Sequence, residues 1–287
     1  MSVDILHVSD VHFGRDAQLA QLEAIEDFAP ELKPDAVVIS GDLTQRARHG
    51  EFQAAHGFMR RLQHVAPTLV IPGNHDVQWW KSPLHVLGRE RLYTKYRRWF
   101  GENLTPVLEV PGAIIAGALS AHGVAPGSLT WNPNDMAVKG HLPRSETDRI
   151  RELFESAAGG RQSAPDGGSA SLAKVLVLHH NVLPGAISER MGLAHWQDAQ
   201  RRLRETGADV VLCGHDHQEG AGVASEGLPI STAGTHTNRT RGGRASVFNL
   251  VRIHPDAVEI QHFRWDNGKF LPSDQHRFAR REPVIIA

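Results

Sequence analysis

Short apolar runs bounded by polar residues or glycine recur at residues 5–8, 36–39, 68–71, 113–119, 175–178 and 210–213. Runs of this length between turn-forming residues predict buried strands. Between them, residues 17–32, 51–65, 84–100, 145–158 and 196–205 repeat apolar side chains every three or four positions, the period of a helix. Strand and helix in alternation predict an α/β protein. After Gly227 the pattern turns to strands alone, at 229–232, 245–253 and 257–265. His254-Pro255-Asp256 reads as the turn between the last two, and a second, more antiparallel sheet is expected there.

Residues 159–171 are rich in Gly, Ser and Ala and read as a flexible surface loop rather than a linker between domains. No fixed-period repeat and no long block of charge divides the chain, so residues 1–287 read as a single domain. The aromatic-rich stretch 79–101, with Trp79, Trp80, Tyr93, Tyr96, Trp99 and Phe100, has two readings: a cap beside a site, or a helix packed on the core.

Composition narrows the function classes. Hydrophobic residues make up 40% and charged residues 22% of 287, an ordinary globular balance that excludes wholesale disorder. Lys plus Arg total 31 against 32 for Asp plus Glu, so bulk charge offers no footprint for nucleic acid or an anionic membrane. No apolar run reaches membrane-spanning length, and Met1-Ser2-Val3-Asp4 enters a strand-like segment without a leader pattern. The expectation is a cytoplasmic protein without a membrane partner. Cys213 is the lone cysteine, which rules out an internal disulfide or a thiolate cluster and leaves nitrogen and oxygen as the donors for any metal.

Histidine changes the picture, with 18 in the chain. Five apolar runs each end in metal-ligand residue types: Asp10-Val11-His12, Gly41-Asp42, Gly73-Asn74-His75-Asp76, His179-His180 and Gly214-His215-Asp216-His217. In open α/β sheets, ligands gather at the carboxyl ends of strands. Asp10 and His12, like His215 and His217, are two apart, so in extended backbone each pair shares one face. A lone histidine near a strand end is ordinarily packing, but five such clusters in sequence point to a metal site. Carboxylates, imidazoles and a carboxamide suit Mn, Fe, Zn or similar ions better than Ca or Mg.

These blocks, in this order, resemble the calcineurin-like metallophosphoesterases, whose pattern is D-x-H, GD, GNH-E/D, an isolated His and GH-x-H. The resemblance runs from Asp4 to about Phe263. It implies a four-layer α/β/β/α sandwich of two mixed sheets, with two transition-metal ions where their loops converge. By motif position, Asp10, His12 and His217 would hold one ion and Asn74, His179 and His215 the other, with Asp42 and a hydroxide bridging both. Two ions roughly 3.5–4 Å apart acidify a shared water and neutralise phosphate oxygens. With divalent ions, the two aspartates and hydroxide leave one net positive charge, matched to a phosphodiester. His75 would face the phosphate as acid or transition-state stabiliser, with Asp76 orienting it. The family pattern leaves His180 outside the metal's direct contacts, and the swapped assignment is the alternative. Arg15, Arg46 and Arg48 are candidates for phosphate contact, while Asp35, Asp209, Asp216, His122, His195 and His236 read as structural.

The function expected is a dinuclear metal-dependent phosphodiesterase acting on a small phosphate ester, resembling bacterial class III cyclic-nucleotide and glycerophosphodiester phosphodiesterases. Asp76 stands where relatives often carry Glu, and His179-His180 leads into Asn181-Val182-Leu183-Pro184 rather than a double proline, so substrate identity stays open. Phosphomonoesterase and nucleotide-sugar pyrophosphatase are the alternatives, since the same chemistry serves them. A nuclease reading is opposed by the bulk charge. A non-catalytic scaffold is opposed by the full set of seven ligands. A dimer through the strands after residue 227 also stays open.

Overall fold

The computed structural model of the protein describes residues 2–86, 88–130, 135, 137–162, 172–224 and 227–280. Two six-stranded mixed sheets lie face to face. The first has the order β12-β11-β10-β1-β2-β3 and the second β4-β5-β6-β7-β9-β8. Their strands are β1 (Val3–Val8), β2 (Ala36–Ile39), β3 (Thr68–Val70), β4 (Val107–Val110), β5 (Ala113–Gly117), β6 (Ala173–Val177), β7 (Val210–Cys213), β8 (Gly220–Ala224), β9 (Leu228–Thr232), β10 (Val247–Ile253), β11 (Ala257–Asp266) and β12 (Lys269–Ala279). Helices α1 (Leu19–Leu32), α2 (His49–Gln63) and α3 (Thr94–Phe100) go with the first sheet, and α4 (Arg144–Gln162) and α5 (Trp196–Glu205) cover the second.

The four layers follow from the period of a strand, which sends alternate residues to opposite faces. In β1, Val3 and Ile5 enter the core between the sheets while Leu6 and Val8 meet α1 and α2. Likewise in β7, Val210 and Leu212 face the other sheet and Val211 and Cys213 face α4 and α5. Burial on both faces is why these strands read as continuous apolar runs.

Where the fold departs from expectation, solvent explains it. The strands after Gly227 build no sheet of their own: β9 runs parallel to β7 in the second sheet, and β10 pairs antiparallel with β1 in the first. Edge strands β4, β8 and β12 lack an apolar run because one face or one edge is wet. The expected helix 84–100 is broken into short 3₁₀ turns, leaving only α3 regular. Tyr96 and Phe100 of α3 pack edge-on against Phe52 of α2, whereas Trp79 and Trp80 remain partly exposed. The second half of this stretch thus packs on the core beneath the first sheet's helices. Helix α4 extends through Gln162 into the expected loop, whose remainder, 163–171, lies outside the described residues.

One polar seam crosses the core between the sheets. His7 on β1 meets Ser40 Oγ at 2.9 Å and Ser231 Oγ at 3.2 Å. Asn249 donates to Ser231 Oγ and its Oδ1 lies 2.7 Å from His262 Nδ1. Burial drives the His7 imidazole down to about 3 and His262 down to about 4, so both are neutral in the fold at pH 7. Below the ordinary histidine value of 6.5 the unfolded chain binds protons that the native chain refuses, and stability falls as pH falls. Urea unfolding of the metal-stripped chain is expected to show a loss of about 2 kcal/mol per histidine between pH 7.5 and 5, with a correspondingly smaller loss in His262→Gln.

Candidate metal centre

The donors lie on loops that leave β1, β2, β3, β6 and β7, at the strand ends where the parallel portions of the two mixed sheets release their chains. The loops after β1 and β2 stay paired beyond the strands, with Asp10 N donating to Gly41 O and His12 N to Asp42 O. Extended backbone does not produce the convergence expected of the x-x pairs. Asp10, His12, Asp42, His215 and His217 all have positive φ, between 41° and 73°. Such backbone is costly for non-glycine residues and persists where the surroundings over-determine it. Two glycines admit the close approach: a Cβ on Gly73 would lie 2.1 Å from Asp42 Oδ1, and one on Gly214 2.3 Å from Asp10 Oδ2.

Two donor groups result. In one, Asp10, His12, Asp42 and His217 bring ligand atoms within 4.8 Å of one another. His12 Nε2 and His217 Nε2 are 2.9 Å apart, and Asp10 Oδ1 lies 3.4 Å from His217 Nε2. In the other, Asn74 Oδ1 sits 3.1 Å from His179 Nε2 and 3.0 Å from His215 Nδ1. Asp42 spans them: Oδ1 is 3.3 Å from His179 Nε2, and Oδ2 is 3.5 Å from His12 Nε2.

Backbone carbonyls orient the rings. Nδ1 of His12 faces Thr44 O, Nδ1 of His179 faces Ser40 O and Nδ1 of His217 faces Arg239 O. A carbonyl only accepts, so each Nδ1 carries a hydrogen and each Nε2 is the nitrogen turned toward the centre. His180 lies near His179 and His215, but both of its nitrogens are engaged, Nδ1 with Ser120 Oγ and Nε2 with Val138 O. Asp10 Oδ2 accepts from His215 N, while Oδ1 is buried without a donor. A buried bare carboxylate oxygen facing imidazole nitrogens is chemistry suited to a cation.

Residues 3–219 match the calcineurin-like phosphoesterase family. The chain belongs to that family. A cAMP/cGMP dual specificity phosphodiesterase of Mycobacterium tuberculosis is 26% identical over 88% of this chain and 77% of its own length. A glycerophosphodiester phosphodiesterase of Enterobacter lignolyticus is 33% identical over 25% of this chain. A transmembrane protein with a metallophosphoesterase domain from Danio rerio is 31% identical over 32% of this chain. The matches span only 29% and 22% of the lengths of these last two relatives. Among solved structures, a dimetal phosphatase from Danio rerio superposes with TM-score 0.65 at 12% identity, covering 97% of this chain and 99% of that one. Yellow lupin purple acid phosphatase superposes at 0.64 and 12%, covering 100% of this chain and 55% of that one, and both neighbours establish the sandwich fold. No helix among the described residues is long and apolar enough to cross a membrane.

The electrostatics of the centre are set by two buried carboxylates and the imidazoles that face them. Burial pushes the Asp10 carboxyl up, but His12 and His217 beside it outweigh burial and hold it well below the carboxylate range. Asp42 is likewise held low by His179, His75 and His12 against its burial. In turn burial would lower His179, yet the Asp42 charge raises it to about 9. The carboxylates thus stay ionised and draw cations to the imidazole nitrogens.

His75 Nδ1 lies 2.8 Å from Gln45 O, and the His75 backbone N–H donates to Asp42 Oδ1. The expected pairing of the Asp76 carboxylate with the His75 ring is replaced by this carbonyl. Asp76 turns inward, accepting from Leu43 N, Thr44 N, Thr44 Oγ1 and Gly73 N at 2.8–3.0 Å. It clamps the loop bearing Asp42 to the loop bearing Asn74. Burial and the Asp42 charge push its carboxyl up to about 6, against the pull of those donors.

Sequence reasoning missed several supports. Gln45, Thr44, Ser40 and Arg239 act through their carbonyls, which carry no side-chain signal. Asp216, read as structural, is buried and accepts from Ser188 Oγ at 2.7 Å. Thr235 donates to Asp10 O, so the 235–237 segment closes behind Asp10. His122 is held by Leu119 O and Arg89, and His195 precedes α5 in left-handed backbone. Arg15, Arg46 and Arg48 are exposed, with Arg15 N and Arg46 N bonded to Gln45 and Glu51. Removing the clamp strands three buried backbone N–H groups, so Asp76→Ala is expected to lower stability by roughly 3 kcal/mol or more in urea unfolding, with Thr44→Val losing less.

Proposed function

We propose that the protein hydrolyses the phosphodiester bond of a small substrate at a two-metal centre. The observation that carries this reading is the Asp42 carboxylate, whose two oxygens address different donor groups. Asp10, His12 and His217 would hold one ion, Asn74, His179 and His215 the other, and Asp42 would join both. Mn, Fe and Zn suit these donors. Bound there, the ions would supply Lewis acidity toward phosphate oxygens and a water made acidic enough to attack.

The chain's own groups orient and protonate. His75 has its Nδ1 hydrogen committed to Gln45 O, which leaves Nε2 to meet a phosphate oxygen or the departing alkoxide. The ring stands edge-on to His12, with centroids 4.7 Å apart, which positions it beside the first donor group. Asp76 serves this chemistry indirectly, by fixing the loops that carry Asp42, Asn74 and His75. His180 supports the second group from behind, and the walls beyond it select the substrate.

Two relatives named for phosphodiester hydrolysis support a diester rather than a monoester. The reading takes residues 1–287 as one working unit, since β10–β12 complete the sheet that carries Asp10 and Asp42. It includes a cytoplasmic location, in keeping with the buried free thiol of Cys213. Dimerisation would use the β12 edge, and a monomeric mass by light scattering would dismiss it.

Metal-reconstituted protein is to be assayed on cyclic AMP, a glycerophosphodiester, a phosphomonoester and single-stranded DNA. A preference for one diester is expected, with Asp42→Ala lowering kcat/KM by roughly 1000-fold or more. Calorimetric titration of Mn into the stripped chain is expected to show two ions in the wild type and fewer in Asp42→Ala. Hydrolysis of none of these substrates with Mn, Zn, Fe or Co would overturn the reading.

A further inference from the structure

A cavity of about 410 Å³ opens beside His215, within the volume range of pockets that take organic ligands. Its apolar wall is formed by Trp196, Met191 and Val138. Trp196 is half-buried at the first position of α5, with part of its indole packed on the core behind the second sheet. The cavity therefore has an aromatic side chain in its lining together with His215 of the second donor group.

The wall is built, not incidental. Asn181, which follows the histidine doublet, donates from Nδ2 to Leu183 O and Arg190 O. Asp216, between His215 and His217, accepts from Ser188, and Gln218 Oε1 accepts from Ile187 N. Gly140 N donates to Gly192 O, and Ala194 N donates back to Gly140 O, which binds this loop to the segment carrying Val138. The pocket and the donors thus hang from the same residues, so a group bound at the centre has a fixed relation to the wall.

Charge separates the ligand classes. Three cations and three acids line the cavity. Lys139 lies 3.7 Å from Asp135, and Arg241 lies 3.8 Å from Asp216, leaving Arg190 and Glu189 with opposite signs at the exposed edge. A balanced lining gives no focus for a second phosphate or a carboxylate. The volume exceeds what a glycerol or ethanolamine group fills, and an aromatic wall gains little from such polar groups. A planar neutral heterocycle on a sugar satisfies shape and charge together.

We propose that this cavity receives the nucleoside part of a phosphodiester substrate, with Trp196 as the specificity-determining residue that stacks on the base. The proposal rests on the two-metal reading above and names the substrate class of that same site. Arg190, free of any ion pair among the described residues, reaches polar edges of the base or sugar.

The test compares cyclic AMP with glycerophosphoethanolamine on the metal-reconstituted full chain. In Trp196→Ala, the ratio of kcat/KM for cyclic AMP to that for glycerophosphoethanolamine is expected to fall about 10-fold to 100-fold, carried mainly by KM, with Trp196→Phe recovering most of it. Calorimetric binding of AMP, independent of turnover, is expected to weaken by a similar factor. Val138→Trp, at the exposed rim, narrows the cavity without touching α5 and is expected to lower the same ratio even if Trp196→Ala fails to fold. An unchanged ratio in the folded variants, with AMP binding equally unchanged, overturns the pocket assignment and leaves the two-metal reading standing. A wild type that turns over neither diester overturns the two-metal reading, while Trp196-dependent AMP binding would still uphold the pocket.

Discussion

The Asp42 carboxylate sits buried between two groups of imidazoles, and the site loops are arranged around keeping it ionised there. A carboxylate out of water needs compensating donors and cations. His75 N supplies a hydrogen bond, His12 and His179 supply facing nitrogens, and Gly73 leaves room where any side chain would collide. Asp76 then fixes the backbone on both sides of it. Loss of this carboxylate would remove the side chain whose two oxygens face one imidazole of each donor group, leaving the Asp10 bond to His215 N as a remaining link between them.

Around that constraint, the layered fold divides the work. Apolar packing on both faces of β1, β2, β6 and β7 supplies the stability that the loops at their ends consume. Five donor residues in left-handed backbone are tolerable only on so rigid a base. The seam of His7, Ser231 and Asn249 links the two sheets close behind the centre, so their relative position is set by directional bonds as well as by packing. The donors, drawn from both sheets, keep their separation for that reason.

On the proposed reading, the selection of substrate belongs to a different part of the chain from the chemistry. Donors arise from short motifs at strand ends, whereas the wall opposite comes from the 183–196 loop and the segment near Val138. Asn181 and Asp216 join the two, which explains why residues next to the donors are buried although they face no metal position. Variation in the loops can change what binds without disturbing the centre.

Much was legible in the linear chain. Doubly buried strands appear as apolar runs, amphipathic helices as a three-to-four residue period, and the seven donors as residue types with distinctive side chains at the ends of those runs. The histidines and aspartates were readable because ligand chemistry restricts which residues can serve. Folding alone decided the rest. The edge strands β4, β8 and β12 leave no apolar run, and the destination of β10 depends on pairing with β1, more than 200 residues away. The roles of Asp76, Gln45 and Asp216 were set by which groups they meet: backbone carbonyls and amides are identical at every position, so their service as ring anchors or clamps is invisible until the chain brings them together.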